Sequence, residues 1–174
     1  MNAPETRYAI PAIATQHAGG RCLAHIFIDC APFAIIVPPR AEREIEAIAW
    51  LPKAKRIAGA GSLIDGLANT RDMAAAGSPL AQWASEKHIA GHDDWYIPSR
   101  IEALTIRANL CAPGEIYKPA DDEGFSTDDW YWTSTQVEFD DGYAWVQDFD
   151  NGYQNDVPKS AERRAFVVRR EPIR

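Results

Sequence analysis

The pattern of apolar and polar positions divides the chain into a strand-rich start, a helical middle and a strand-rich end. Near the start, residues 21–37 read RCLAHIFIDCAPFAIIV, two runs rich in Ile, Phe and Val. The runs are interrupted from Asp29 to Pro32, and such an interruption between β-prone segments indicates a hairpin. Pro38 and Pro39 follow the second run and end it, because proline cannot donate to a strand ladder. We therefore expect two antiparallel strands here.

Two helices are predicted in the middle of the chain. Ser78 and Pro79 are residue types that favour a helix N-cap and first turn, and they precede the amphipathic run LAQWASEKHI. Ser99 and Glu102 fit a capping box, in which side chains and backbone at a helix start bond reciprocally. The apolar face of this second helix consists of Ile101, Leu104, Ile106 and Leu110.

Two earlier segments have mixed patterns. Residues 41–53, AEREIEAIAWLPK, fit either a short helix or an extended segment. Residues 59–70, GAGSLIDGLANT, are dense in Gly, Asp and Asn, which favour tight turns, and they are predicted to form a loop. No Lys follows these glycines at the spacing of a phosphate-binding loop, so the segment does not predict nucleotide binding.

From Trp130 onward the pattern changes to short strands. The runs YWTSTQ, YAWVQDF and RRAFVVRR are separated by DDG and by DNGYQNDVPK, whose Asp-Gly and Asn-Gly pairs favour tight turns. Alternation along the middle run places four side chains on one face, namely Tyr143, Trp145, Gln147 and Phe149. An antiparallel meander that follows two helices predicts an α+β fold.

Length and charge narrow the classes of function. With 174 residues and 46% hydrophobic composition, the chain is expected to form one domain, preceded by an arm or linker at residues 1–20. A net charge of −7 opposes nucleic-acid binding, since clustered Lys and Arg hold a phosphate backbone. The start lacks a signal-peptide pattern and no stretch is long and apolar enough for membrane insertion, which predicts a protein made in the cytoplasm.

The cysteines and histidines give no catalytic pattern. Cys22, Cys30 and Cys111 match no zinc or redox motif and are expected to be free, buried thiols. Cys22 and Cys30 could instead face each other across the predicted hairpin. The four histidines are scattered, and none stands in a triad motif with Ser, Cys or an acid. We therefore expect a protein that is not an enzyme.

A set of motifs resembles one known family. The motifs are IDGLANT at residues 64–70, DDWYIPSRIEAL at 93–104, YWTSTQ at 131–136, AWVQDFDNG at 144–152 and VVRR at 167–170. Their order is similar to that of the Lcl C-terminal-like domains, a group of C-type-lectin-like domains in bacterial surface proteins and in phage or prophage proteins. Residues 32–42, PFAIIVPPRAE, are similar to a strand that accompanies the domain in phage-encoded members.

The resemblance implies a C-type-lectin-like fold, with two helices, antiparallel sheets and a long irregular loop region. It places this domain at residues 21–174, with 21–58 as an N-terminal strand extension. It implies that Arg100 meets solvent or an acid. It also implies that six residues serve the scaffold rather than a ligand: Trp95, Pro98, Ser99, Glu102, Trp132 and Trp145.

The acidic residues are concentrated in one part of the chain. Between Pro119 and Pro158 there are eleven acids and no Lys or Arg. One interpretation is that they pair with the basic end of the chain, which contains Lys159, Arg163, Arg164, Arg169, Arg170 and Arg174. The other is a ligand face suited to sugars, because carboxylates and amides bond hydroxyls while aromatic rings cover a pyranose. This face would comprise Asp140, Asp141, Tyr143, Asp150, Tyr153, Gln154, Asn155 and Asp156.

Calcium is an alternative ligand of these acids, since it prefers carboxylate and amide oxygens and some C-type lectins bind it; no other cofactor is expected. The resulting prediction is a non-enzymatic binding module of a phage or prophage virion, in a tail fibre or tail tip. It would recognise a host-surface glycan or protein, and it would be made in the bacterial cytoplasm. It would act as a homo-oligomer or in an assembly with other virion subunits. The alternative is a structural component that docks on a neighbouring subunit of the particle.

Overall fold

The computed structural model describes residues 10–110 and 124–174. In these residues the chain has the predicted α+β composition, with four helices and nine strands. The helices are α1 (Arg40–Arg43), α2 (Gly66–Ala75), α3 (Pro79–Ser85) and α4 (Arg100–Asn109). The strands are β1 (Gln16–His17), β2 (Gly20–Ile28), β3 (Ala31–Val37), β4 (Glu44–Ala49), β5 (Tyr131–Gln136), β6 (Tyr143–Gln147), β7 (Gln154–Pro158), β8 (Glu162–Phe166) and β9 (Arg169–Pro172).

The strands build two sheets. One has four strands in the order β1-β2-β3-β9, and the other has five in the order β4-β8-β5-β6-β7. Neighbouring strands are antiparallel except β5 and β8, which run parallel. β8 and β9 follow each other in the chain but lie in different sheets, so residues 167–168 connect the two sheets.

The N-terminal hairpin is confirmed, with β2 and β3 paired along their length. Asp29 and Cys30 form its turn with φ angles of 49° and 64°, as a tight two-residue hairpin turn requires. Cys22 is buried and lies opposite Ile36, whereas Cys30 is exposed in the turn, and both thiols are free. The expectation of a buried thiol is therefore correct for Cys22 and wrong for Cys30. Cys111 lies outside the described residues.

Residues 10–20, the described part of the predicted arm, lie against the four-stranded sheet. β1 pairs with the start of β2, and the Ala14 N–H donates to Cys22 O at 2.8 Å. Ile13 and Ala18 pack on the small buried cluster that contains Cys22. This stretch therefore covers one face of the sheet.

Both segments with mixed patterns contain helix, which was one of the alternatives for residues 41–53 and was not predicted for residues 59–70. Residues 41–53 include both of the structures considered for them, because α1 is followed directly by β4. The loop prediction for residues 59–70 is wrong in its second half, where α2 begins at Gly66. The Asp65 carboxylate accepts from the Ala68 N–H at 2.9 Å, an N-cap bond that stabilises this helix start. The described residues thus have α1 and α2 in addition to the two predicted helices.

The C-terminal strands differ from the predicted meander in two places. The segment DNGYQNDVPK, predicted as a turn, contains β7 at the edge of its sheet. The run RRAFVVRR divides into β8 and β9, and β8 inserts beside β5 in parallel. Residues 165–168 are buried one after another, and Val167 and Val168 enter different cores, so this run crosses between the sheets instead of alternating in one. The strands at YWTSTQ and YAWVQ are confirmed.

Two buried clusters hold the helices against the sheets. The first packs α2 and α3 on the five-stranded sheet and includes Trp95 and Trp132, which are 2% and 0% exposed. The second packs α4 on the four-stranded sheet. Its aromatic centre consists of Tyr96, Phe125, Tyr131, Phe149 and Phe166.

Candidate functional site

The motif residues at the start of α4 form a buried junction. The Ser99 hydroxyl accepts from the Glu102 N–H at 3.3 Å and Glu102 Oε2 accepts from the Ser99 N–H at 2.6 Å, so the predicted capping box is present. Glu102 Oε2 also accepts from the Gly66 N–H at 3.2 Å, and Oε1 accepts from the Tyr96 hydroxyl at 2.7 Å. Pro98, just before the cap, is buried too. The carboxylate of Glu102 therefore joins the starts of α2 and α4.

Burial shifts the pKa values of this junction. It raises the pKa of the Glu102 carboxyl to about 7, against the opposing effect of the hydrogen bonds from Ser99 and Tyr96. It also raises the pKa of Tyr96 well above its ordinary value, and the neighbouring carboxylate adds to the rise. A buried acid with a raised pKa is a candidate catalytic group where it faces a cleft. Glu102 is 0% exposed and bonds only scaffold groups, so we assign it to the scaffold.

The motifs IDGLANT and YWTSTQ complete the junction. The Asn69 side chain accepts from the Ser62 N–H at 2.9 Å and donates to Ser62 O at 2.7 Å. The Thr70 hydroxyl accepts from the Ile97 N–H at 3.1 Å, and the Thr135 hydroxyl donates to Ser62 O at 2.8 Å. Through Ser62 and Ile97 these bonds connect α2 to β5 and to the segment that leads into α4. Their polar side-chain groups therefore form hydrogen bonds within the fold.

An open surface lies where β6 and β7 pair at the edge of the five-stranded sheet. In their register Trp145 is opposite Asp156 and Gln147 is opposite Gln154, so these four side chains share one face. Tyr153, which is exposed, lies in the turn just before β7. We name the surface the β6–β7 face and define it by Tyr143, Trp145, Gln154 and Asp156. Gln147 shares this side of the sheet but is fully buried, and Tyr153 borders the face from the turn.

Arg100, the first residue of α4, lies on the β6–β7 face. The carbon of its guanidinium is 3.5 Å from the centroid of the Trp145 ring, a cation–π contact. Its Nε donates to Gln154 Oε1 at 2.8 Å. Gln154 Nε2 donates in turn to Arg100 O at 2.8 Å and to Gln147 Oε1 at 3.0 Å. Burial lowers the pKa of Arg100, which stays a cation because its ordinary value is so high.

This arrangement changes one expectation from the sequence. Trp145, assigned there to the scaffold, is half-buried and belongs to the β6–β7 face. Of the two surroundings expected for Arg100, solvent is present, because the side chain is partly exposed, and it forms no ion pair with an acid in residues 10–110 or 124–174. The sequence holds one signal for the face, the alternation that places Trp145 beside Tyr143. It holds none for Arg100, because the contact with Gln154 spans 54 positions.

The predicted ligand acids do not gather at one point. Asp140 and Asp141 lie in the turn before β6, and Asp150 lies in the turn after it. A five-residue strand separates the two turns, on the order of 16 Å in extended chain. Asp140 Oδ1 accepts from the Gly142 N–H at 2.9 Å, and Asp141 pairs with Arg56 at 3.3 Å. One ion cannot bind both turns.

Asn155 lies on the opposite side of the strand from its neighbours. It is paired with Val146, whose side chain is in the core, so Asn155 points away from the β6–β7 face although it is exposed. The structure therefore places three of the eight predicted ligand residues on one face, namely Tyr143, Gln154 and Asp156. Tyr153 lies in the bordering turn, and the other four lie elsewhere.

The basic end of the chain pairs elsewhere. Arg169 and Arg170 bond acids of the loops before α4 and α2, at 2.6 and 2.9 Å, and Arg164 lies near acids of β4. Within the part of the chain that the structure describes, the acidic run has one ion pair, at Asp141. The pairing of the run with the basic end is therefore not found there. Three acids of the run lie outside the described residues: Asp121, Asp122 and Glu123.

A second exposed aromatic side chain stands on the turn between β5 and β6. Phe139 is 89% exposed on this turn. The turn is held at its base by Lys159, which is fully buried and donates to Lys55 O and Asp141 O at 2.8 Å and to Gln136 Oε1 at 2.9 Å. Burial lowers the pKa of Lys159 to about 8. The turn therefore presents Phe139 from a fixed base.

Neither a metal cluster nor an activated nucleophile is found in the described ranges. No group of three or more His, Cys, Asp or Glu side chains in these ranges is placed to hold a metal ion, so the acids described do not fit a calcium site. Cys22 Sγ lies 3.5 Å from His25 Nε2, but burial raises the pKa of this thiol, which opposes its use as a nucleophile. None of the helices described is long and apolar enough to cross a bilayer.

Comparison with known families identifies the family to which the motifs belong. The model of the Lcl C-terminal domain matches residues 45–169. The chain belongs to the Lcl C-terminal domain family. The match begins in β4 and ends at the first residue of β9, so the Lcl C-terminal domain contains the junction, the five-stranded sheet and the β6–β7 face. No curated protein gives a significant match to the chain.

Proposed function

We propose that this Lcl C-terminal domain is a non-enzymatic binding module that uses the β6–β7 face. The observation that carries the proposal is the grouping on one open face of the rings of Tyr143 and Trp145, one accessible amide, a carboxylate and a guanidinium. Tyr153 is 70% exposed, and Trp145 is half-buried under Arg100. Such a surface suits a sugar, because rings cover its apolar side while polar groups bond its hydroxyls.

The proposed ligand is a host-surface glycan or protein, and the proposed setting is a phage or prophage virion with the domain in a tail fibre or tail tip. The setting is supported by the similarity of residues 32–42 to a strand of phage-encoded members. A C-type-lectin-like fold is supported by the family and by short antiparallel sheets packed on helices. Several copies in one particle would raise the avidity of a weak site.

The test is binding of the purified, labelled protein to intact bacterial cells, with purified surface polysaccharide as competitor. Saturable binding that the polysaccharide reduces is the expected result. Addition of a chelator should leave binding unchanged, because the acids in the described ranges form no metal cluster. Failure of both the protein and a forced multimer to bind would overturn the proposal.

A second candidate function, docking on a neighbouring subunit of a particle, is favoured by Phe139. Aromatic side chains anchor protein interfaces when they enter a pocket, and Phe139 is exposed on a turn with a fixed base. In this case Phe139→Ala should reduce incorporation of the protein into assembled particles and leave cell binding intact. Phe27→Ala is the matched control, because Phe27 is 67% exposed on the other sheet.

A further inference from the structure

Arg100 is held in place with part of its hydrogen-bonding capacity unused. Its Nε is bonded to Gln154 and its plane is supported by Trp145. No acceptor in residues 10–110 or 124–174 bonds its Nη1 or Nη2. A guanidinium only donates, so both nitrogens are available to an acceptor that arrives from solvent.

Arg56 and Arg107 have different kinds of partner from those of Arg100. Arg56 pairs with Asp141 at 3.3 Å, and Arg107 donates to the carbonyls of Phe149 and Asp150 at 2.7 Å. Within the described residues, the side-chain contacts of Arg100 are an aromatic ring and one amide oxygen at Nε, and neither neutralises its charge. A fixed guanidinium loses little side-chain freedom on binding, and its fork matches the two oxygens of a carboxylate.

We propose that Arg100 binds the carboxylate of an acidic saccharide on the β6–β7 face, an inference that rests on the proposed function. Asp156 lies opposite Trp145 and does not pair with Arg100, so its carboxylate is free to accept sugar hydroxyls. Tyr153 supplies an exposed ring for the apolar side of the sugar. Asp156 and the net charge of −7 would repel further anionic groups, which favours a sugar with one carboxylate over a polyanion or an acidic peptide.

The test is a calorimetric titration of the full chain with an oligosaccharide that carries one glucuronic acid, and with the same compound after reduction of its carboxyl to an alcohol. The acidic compound should bind about tenfold more tightly, since a bidentate, charge-assisted pair is lost on reduction. Arg100→Lys should remove this preference, because an ammonium lacks the fork. Arg56→Lys is the matched control and should behave as the wild type.

Several results would overturn the inference. Equal affinity for the two compounds would do so, as would a preference that survives Arg100→Lys at an unchanged melting temperature. Tighter binding of a peptide with a free C-terminal carboxylate would assign Arg100 to a protein ligand instead. Binding of the reduced compound that is lost in Tyr153→Ala would leave the proposed function standing. Absence of binding to all three probes would refute the inference that the ligand is an acidic saccharide. The cell-binding experiment would then test the proposed function separately.

Discussion

At the scale of single residues, Gly66 shows why the IDGLANT motif contains a glycine. A Cβ on Gly66 would lie 2.4 Å from Glu102 Oε2 and 2.6 Å from both Ile97 O and Ser99 N. Two of these atoms belong to the backbone and cannot move aside like the end of a flexible side chain. Close approach of α2 to the start of α4 therefore requires glycine at this position.

Gly66→Ala is expected to lower the free energy of unfolding by about 1 to 3 kcal/mol, because the added methyl overpacks the junction. Denaturant titration of the purified variant measures the change. Gly61→Ala is the matched control, since a Cβ there meets nothing within 4 Å. Equal stability of the two variants would contradict the close packing described for the junction.

Single residues also show what the sequence can and cannot reveal. The bond between Ser99 and Glu102 is local, so the spacing of two residue types predicts it. The contact of Arg100 with Trp145 depends on how α4 meets β6, and no local pattern encodes it. The same holds for Asn155, whose side is fixed only by its register with Val146. The scaffold residues were therefore easier to predict than the residues of the face.

At the scale of elements, α2 and β7 were predicted wrongly from the sequence. Both are stabilised by contacts with neighbouring elements. α2 contains Gly66 and Asn69, which are poor helix formers, and it is held by Asp65 at its cap and by bonds to other motifs. β7 is polar because it lies at a sheet edge, where few side chains enter the core. The fold class was predictable because hairpin and capping signals are local, whereas these two elements depend on contacts distant in the chain.

Lys159→Met tests how the turn between β5 and β6 is held. The substitution removes three hydrogen bonds of a buried ammonium, so we expect a loss of about 1.5 to 3 kcal/mol in the free energy of unfolding. Amide hydrogen exchange should also rise at Val137 and at Tyr143, whose N–H groups donate within this turn. Lys53→Met is the control, because Lys53 is exposed in the same loop as Lys55. Unchanged exchange at both positions would show that Lys159 does not hold the turn.

At the scale of the whole molecule, the fold separates a buried scaffold from an open face. The motifs IDGLANT, DDWYIPSRIEAL and YWTSTQ meet in the junction of α2, α4 and β5. Arg100, the first residue of α4, connects that junction to the β6–β7 face. The buried carboxyl of Glu102 therefore serves the stability of the fold. The pH dependence of the free energy of unfolding should reveal its ionisation state.

The pH dependence of unfolding tests the state of Glu102. Its pKa is about 7 in the fold and 4.5 ordinarily, so its protonation stabilises the fold fully below about pH 4.5, and this contribution is lost as pH rises to about 7. The loss corresponds to about 3 kcal/mol. Glu102→Gln cannot ionise, so the stability of the wild type relative to this variant should fall by that amount. A difference that stays constant with pH would show that the carboxyl is ionised throughout.

The central claim is that the junction of α2, α4 and β5 is scaffold while the β6–β7 face binds the ligand. The most direct measurement is binding to intact bacterial cells by the double variant Tyr153→Ala/Asp156→Ala, compared with Phe27→Ala, after both are shown to melt like the wild type. We predict that the double variant loses saturable binding and that Phe27→Ala retains it. Wild-type binding by the folded double variant would contradict the claim.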